Sequence, residues 1–336
     1  MEAPIVVNES SQVAEARRHA VSVGKALGFS EELTGRAALI VTEAATNLLK
    51  YGGGGTILTR PYADIDSTGL EILVLDKGPG IADPAASQRD GHSTGGTLGL
   101  GLGGIARQSH FHEIYTDEKG TAILARVRSD EPAPAASRPR QWLNVGGLST
   151  PLAGQEACGD AWASRWEAGA LWVTMVDGLG HGPQAARAAH EALRVFQAAS
   201  VTATPSEVLR AAHAALRSTR GAVMAVAVIR PMLGAFTFAG IGNISAQLIS
   251  PSETRRLPST DGTVGYSVRS IREQSYTWEP GSMLAMSTDG LSTRWTMAGH
   301  PGLQRRHPSL IAGVLHRDFS RSNDDATIVV VKDEQG

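Results

Sequence analysis

A chain of 336 residues, 42% hydrophobic and 19% charged, is long enough for two hydrophobic cores and has the composition of an ordinary globular protein. Its formal net charge of -2 argues against nucleic acid or an anionic membrane surface as a partner. The single cysteine, Cys158, excludes an internal disulfide and a cysteine-built zinc site; the chain opens without a leader-like basic and apolar run and has no stretch long enough to span a bilayer, so a cytoplasmic location is expected.

After Ile5-Val6-Val7, Asn8 or Ser10 is the expected cap of a helix over 11–27. A second helix is expected over 30–51, because Leu33, Ala37, Ile40, Val41, Ala44 and Leu48 recur at helical spacing and Ser30, Glu31 and Glu32 suit its start. The run Gly52-Gly53-Gly54-Gly55 ends it. Strands are expected over 56–62, 70–75, 113–116 and 121–127, so the N-terminal half reads as a pair of helices over a largely antiparallel sheet.

Glu43 and Asn47 lie four apart on the second helix and therefore share a face. A carboxylate can take a proton from an attacking hydroxyl, and an amide oxygen can ligate a Mg ion that also holds phosphates. By itself such a pair is ordinary surface chemistry. The strand over 70–75 then runs into Asp76-Lys77-Gly78-Pro79-Gly80-Ile81, where an aspartate can accept a hydrogen bond from an adenine amine and glycines admit a flat base. Next, Gly95 to Gly104 leads into a short helix, and glycine-rich backbone at a helix start can cradle phosphate.

In this order the three elements resemble the GHKL ATPase superfamily: Glu43 to Asn47 as its N box, Asp76 to Gly80 as its first glycine box, Gly99 to Gly103 as its second. The resemblance covers 1–128 and implies an α/β sandwich that binds ATP and Mg through Asn47, Asp76, Gly78, Gly80, Gly99, Gly101, Gly103 and Thr121, with Glu43 as catalytic base. No helix bearing a phosphoacceptor histidine precedes it. The short domain with its tetraglycine is most similar to stressosome switch kinases and anti-sigma-factor kinases, which modify serine or threonine on small STAS-domain proteins.

Residues 129–141 carry three prolines and read as a linker before a second domain over 142–336. There, strands are expected over 142–148, 170–176, 282–287 and 326–331, and alanine-rich helices over 183–199 and 205–217. Acids stand beside the expected strands: Asp160; Asp177, before Gly178 and His181; Asp289; and Asp324 with Asp325. A single Asp-Gly is common turn chemistry. Clustered carboxylates, however, need a hard cation such as Mg or Mn.

This order resembles the PPM metal-dependent phosphatases, in particular their SpoIIE-like branch. The resemblance implies an α-β-β-α sandwich in which Asp160, Asp177, Asp289 and Asp324 hold two Mn or Mg ions with the Gly178 carbonyl. Asp325 is the alternative to Asp324, and His181 a candidate acid. Together the halves imply a bifunctional kinase and phosphatase acting on STAS-domain regulators of bacterial stress or sigma-factor signalling. The alternative is a nucleotide-dependent anti-sigma binding protein, with a sigma factor as partner and a regulatory phosphatase-like domain.

Overall fold

The computed structural model describes residues 4–63, 67–83, 101–130 and 143–333. Gly99 and most of the expected linker therefore lie outside the described residues. The chain divides into two compact units, Met1–Arg138 with Thr296–Asp318, and Pro139–Trp295 with Phe319–Gly336. By this division Thr296–Asp318 groups with the first unit.

The first unit starts with β1 (Ile5–Val7), α1 (Ser10–Ala26) and α2 (Glu31–Asn47), and continues with β2 (Gly55–Ala63), β3 (Thr68–Leu75), α3 (Gly101–Gln108), β4 (Phe111–Asp117) and β5 (Gly120–Arg128). The cap of α1 falls on Glu9 rather than Asn8 or Ser10, because Gln12 reaches back to the Glu9 amide at 2.9 Å and Glu9 reciprocates. Ser30 caps α2 as expected, accepting from the Leu33 amide at 3.3 Å. The strands form one antiparallel sheet in the order β1-β2-β3-β5-β4. Ile57, Leu70, Ile72, Val74, Ile123, Ala125 and Val127 pack under Ala37, Ile40, Val41 and Ala44 of α2. Strand alternation sends Leu58, Glu71, Leu73, Leu75, Leu124 and Arg126 to the opposite face, and these are buried too.

The second unit comprises β6 (Leu143–Thr150), β7 (Asp160–Glu167), β8 (Ala170–Gly178), α4 (Pro183–Ala198), α5 (Pro205–Ala215), β9 (Ala222–Arg230), β10 (Ala235–Ile241), β11 (Ser245–Ile249), β12 (Thr254–Leu257), β13 (Gly262–Thr263), β14 (Ser267–Val268), β15 (Glu273–Thr277), β16 (Met283–Ser287) and, after an excursion, β17 (Ala326–Asp333). Two five-stranded antiparallel sheets, β15-β10-β9-β8-β7 and β12-β11-β16-β17-β6, face each other, and β13-β14 form a small hairpin. Leu171, Val173, Met175 and Ile229 of one sheet meet Leu248, Leu284, Met286, Val329 and Val331 of the other. The alternate residues Trp172, Val176, Val226 and Val228 turn to α4 and α5, where Ala189, Ala192, Phe196, Val208, Leu209 and Ala212 close the layer.

The excursion between β16 and β17 contains a helix absent from the sequence expectation, α6 (Pro308–Phe319), and every residue from Pro308 to Arg317 is buried. It covers the second face of the first unit's sheet: a Cβ at Gly313 would lie 3.0 Å from both Leu73 and Leu75. Beside this contact runs a charged row across three strands, with Glu71 of β3 directly opposite Arg60 of β2 and Arg126 of β5. Arg60 Nε donates to Glu71 Oε1 at 2.9 Å, Arg126 Nη2 to Oε2 at 2.7 Å, and Ser309 Oγ of α6 to Oε2 at 3.0 Å. Burial alone pushes the Glu71 carboxyl up, but the two guanidiniums outweigh it and hold it down at about 2.

Residues 1–130 without α6 leave Leu58, Leu73, Leu75 and Leu124 uncovered. We expect that fragment to bind a hydrophobic dye and self-associate, and a peptide of residues 296–319 added in trans to suppress both. A monomeric fragment that excludes the dye would show that the sheet face needs no cover.

Candidate active sites

The first candidate site is built where α2 ends against the turn after β3. Glu43 and Asn47 are both half-buried on the last two turns of α2. Beyond Asn47 the helix widens into a π turn, Leu48–Gly52, and closes on Gly53 with a left-handed backbone at φ 68°. A Cβ at Gly52 would lie 2.9 Å from the Asp76 Cβ, and one at Gly78 would lie 2.9 Å from the Gly52 Cα. Glycine at both places lets the end of α2 rest directly on the Asp76 turn.

Asp76 is held from below. The amides of Gly78 and Thr121 both donate to its Oδ1 at 2.9 Å, and the Asp76 amide donates to the Thr121 carbonyl at 2.9 Å. One carboxylate oxygen is therefore taken up by backbone, which fixes the orientation of the other. Thr121 is buried, and its hydroxyl lies 3.2 Å from that of Thr116, which in turn accepts from the Ile81 amide at 2.8 Å. Gly80, at φ 75°, passes so close to the Asp117 carbonyl that a Cβ there would collide. Gly101 and Gly103 lie in the first turn of α3. The structure thus brings Asp76, Gly78, Gly80 and Thr121 together, with Gly52, five residues beyond Asn47, against the Asp76 turn.

The second candidate site is a group of carboxylates at strand ends. Asp160 and Asp177 are directly opposite each other where β7 and β8 pair. Asp289 follows β16, and Asp324 and Asp325 precede β17, its pairing partner. Asp160 is 2% exposed, and burial with the nearby charges of Asp325 and Asp324 pushes its carboxyl up to about 7, against a hydroxyl bond from Thr288 at 2.7 Å. Asp177 rises to about 8, first by burial, then by the charges of Asp160, Asp289, Asp324 and Asp325. Two buried acids raised in this way, with three further carboxylates close by, form a donor set of hard oxygens that fits a divalent ion.

The neighbours distinguish the members of this group. Asp325 is buried and spends both oxygens on backbone, Oδ1 on the Leu152 amide at 2.7 Å and Oδ2 on the Gly159 amide at 2.9 Å. Asp324 is half-buried and accepts from the adjacent Asp325 amide, at 2.9 Å. Asn243, just after β10, donates to Asp289 Oδ2 at 2.8 Å. Neither Asn243 nor Thr288 was expected; the Gly242-Asn243 turn and the residue preceding Asp289 were the available signals. Gly178 lies against the Ala185 carbonyl of α4, too close for any Cβ. His181 is exposed on the turn before α4. Cys158 is partly buried, and its thiol is pushed up to about 12 by burial and by Asp160 and Asp325, which makes it a packing residue rather than a nucleophile.

Comparison with known proteins agrees with the two halves separately. Residues 6–127 match the histidine kinase-like ATPase domain, and residues 167–333 match stage II sporulation protein E (SpoIIE). Over 114 residues, 34% of this chain and 86% of the relative, the chain is 39% identical to the serine/threonine-protein kinase RsbT of Bacillus subtilis. The chain belongs to the RsbT family of histidine kinase-like ATPases. To this domain is fused a SpoIIE-type PPM phosphatase domain, 25% identical over 140 residues to the phosphoserine phosphatase RsbX of Bacillus subtilis, which covers 41% of this chain and 70% of RsbX. Among solved structures, one reported as "The bacterial stressosome: a modular system that has been adapted to control secondary messenger signaling" aligns with a TM-score of 0.54 and 27% identity, over 57% of this chain and 100% of its own. Magnesium-bound RsbX aligns with 0.52 and 21%, over 58% and 97%, a likeness of fold alone. The mixed α/β architecture with antiparallel sheets is the one expected. Among the described residues no helix is long and apolar enough to cross a membrane.

The carboxylate group makes stability depend on pH and on metal. Because Asp160 and Asp177 have folded-state values raised from the ordinary 3.8 to about 7 and about 8, their contribution to the stability of the metal-free protein is present in full below about pH 4 and is lost as pH rises towards 8, so stability should fall from pH 5 to 8. Adding Mn or Mg should flatten that slope; a melting temperature that instead climbs from pH 5 to 8 without metal would contradict the shifts. Asp325→Ala should cost about 1–3 kcal/mol in urea unfolding, since two backbone amides lose their acceptor, whereas Asp324→Ala should cost clearly less.

Proposed function

We propose that the chain is a bifunctional switch enzyme. Its first unit transfers phosphate from ATP to a serine or threonine of a small STAS-domain partner in a stressosome-type complex, and its second unit removes it. The observation that carries this reading is the coexistence of an Asp76 cradle under the end of α2 and a strand-end carboxylate cluster, in the regions similar to a kinase and to a phosphoserine phosphatase respectively.

In the first unit, Asp76 accepts from the adenine amine with the oxygen that the Gly78 and Thr121 amides leave available. Gly78 and Gly80 give the base room, and Gly101 and Gly103 bring backbone amides to the phosphates at the start of α3, with Gly99, outside the described residues, assigned to the same loop by its sequence alone. Asn47 holds the nucleotide's Mg, and Glu43, one turn earlier, takes the proton of the attacking hydroxyl. ATP is a substrate in this scheme and Mg travels with it.

In the second unit, Asp160, Asp177, Asp289 and Asp324, with the Gly178 carbonyl, would hold two Mn or Mg ions. When bound, such ions lower the pKa of a coordinated water and so supply hydroxide at neutral pH. Thr288 and Asn243 fix the carboxylates of Asp160 and Asp289, as outer partners of metal ligands do. Asp325 ties the loop around Leu152 and Gly159 in place. The partner phosphoester is cleaved with no covalent bond to the enzyme, which agrees with the raised, unreactive Cys158. The same reading puts the protein's work in the cytoplasm.

The test uses the full chain, ATP and a STAS-domain partner. Asn47→Ala should abolish phosphorylation while leaving phosphatase activity near normal, and Asp177→Asn should do the reverse, so that phosphorylated partner accumulates. Asn243→Ala should weaken metal affinity or phosphatase activity by about ten- to a hundred-fold. An Asn47→Ala protein that phosphorylates at the normal rate, or dephosphorylation indifferent to a chelator, would overturn the corresponding half.

A further inference from the structure

The excursion Thr296–Asp318 ends in a buried arginine that touches the nucleotide cradle. Arg317 of α6 donates from Nη1 to the Asp76 carbonyl at 3.4 Å and from Nη2 to Asp117 Oδ1 at 3.4 Å. Its Nε donates to Asp318 Oδ1 at 2.7 Å, and His300 Nε2 lies 2.8 Å from Asp318 Oδ2. Burial pushes the Asp318 carboxyl up, but hydrogen bonds and charge from Arg317 and His300 bring it below its ordinary value. Asp117, His300 and Asp318 each offer a donor atom within 4.8 Å of the others, as a cation site would. The cation already there is the guanidinium of Arg317, so the cluster is an ion-pair network rather than a metal centre.

The two loops that Arg317 grips are those that orient Asp76. Asp117 opens the β4-β5 turn, where Lys119 donates its amide to Asp117 Oδ1 at 2.9 Å and Gly80 presses on the Asp117 carbonyl. Thr121, just past that turn, holds the Asp76 carboxylate. One guanidinium thus braces both the Asp76 turn and the hairpin beneath it.

The excursion is rooted among the carboxylates of the second unit. It leaves after Asp289 and returns before Asp324, and its neck is stitched shut. Ser292 donates its amide to the Phe319 carbonyl at 2.9 Å, Arg321 to the Gly290 carbonyl at 2.7 Å, and Leu291 bridges Ser320. Gly290 adjoins Asp289 and packs on the Asp325 carbonyl too closely for any Cβ. Arg317 stands two residues before the neck, in the same helix as Phe319.

We propose that Arg317 is a positioning residue for the nucleotide site, and that through its helix nucleotide binding in the first unit is transmitted to the neck between Asp289 and Asp324 and so alters phosphatase activity. The inference rests on the bifunctional reading above. A nucleotide that draws on Asp76 favours one setting of the Asp76 turn, and Arg317 carries that preference into α6. By linkage, loading of the carboxylate group changes nucleotide affinity by the same factor.

The experiment uses the full chain, ADP as a non-transferring nucleotide, para-nitrophenyl phosphate as phosphatase substrate, and Mn in large excess over nucleotide so that chelation is negligible. ADP should change the hydrolysis rate by roughly five-fold or more, and it should change hydrogen exchange at the amides of residues 290–292 and 319–321. Arg317→Gln should weaken ADP binding and remove the change in rate, and Arg317→Lys should restore part of both. Asn47→Ala should lose the response; if it keeps the response, ADP acts elsewhere and the proposal fails. It also fails if ADP binds the unaltered chain without changing either rate or exchange, or if Arg317→Gln responds fully. ADP that does not bind at all sinks the ATP-site reading instead. Should Arg317→Gln not fold, exchange in the unaltered chain decides.

Discussion

Glu71 can be buried in the middle of a sheet only because Arg60 and Arg126 flank it on the neighbouring strands, and the row they form reserves a place for Ser309. The leucines around it would accept any apolar cover, but the row accepts only an element that brings a donor to Glu71 Oε2. Buried ion pairs add little to stability compared with apolar residues of the same size. Their effect here is to select: they set which helix lies on this face and in what register. The seating of α6 and the placement of Arg317 beside the Asp76 turn follow from that selection.

The carboxylates of the second unit obey the same electrostatics with the opposite sign. Glu71 and Asp160 are both almost fully buried, yet one is held down at about 2 and the other pushed up to about 7. The difference is the partner: two guanidiniums for Glu71, other carboxylates for Asp160. The second arrangement is relieved either by protons, as the raised values show, or by divalent cations, whose use a PPM phosphatase domain implies. One unit carries its counter-charge in its own sequence, and the other must recruit it.

Much of this was legible in the sequence. The helix over Glu31–Asn47 announced itself by its apolar period and its Ser30 cap, and the strands ending at Asp76 and Asp177 by apolar runs stopped by Asp-Gly or Asp-Lys-Gly turns. The acids that gather at strand ends were visible for the same reason. What escaped was α6. Its stretch Leu310-Ile311-Ala312-Gly313-Val314-Leu315 is buried all round and carries no polar face, so no helical period marks it. Glu71 looked like one polar position in an apolar strand, because its partners lie on strands and a helix far away in sequence. Alternation says only that Asp324 and Asp325 point apart; that Asp325 is the one meeting the Leu152 and Gly159 amides is visible only in the fold. The shape of α1's start came down to Gln12, a side chain whose reach back to Glu9 overrides the preference of Asn8 and Ser10.

The stitched neck and the helix beyond it also bear on inheritance. Where domains are joined by a tether, recombination can replace one with a cousin and leave the other untouched. Here a stretch encoded inside the phosphatase half completes the wall of the kinase half. A foreign kinase domain spliced in at residues 129–141 would have to arrive with the same Arg-Glu-Arg row and an acid at the position of Asp117, or meet a helix that does not fit it. A substitution at Glu71 or Arg126 and one at Ser309 therefore meet in space, although 182 residues separate Arg126 from Ser309 in sequence.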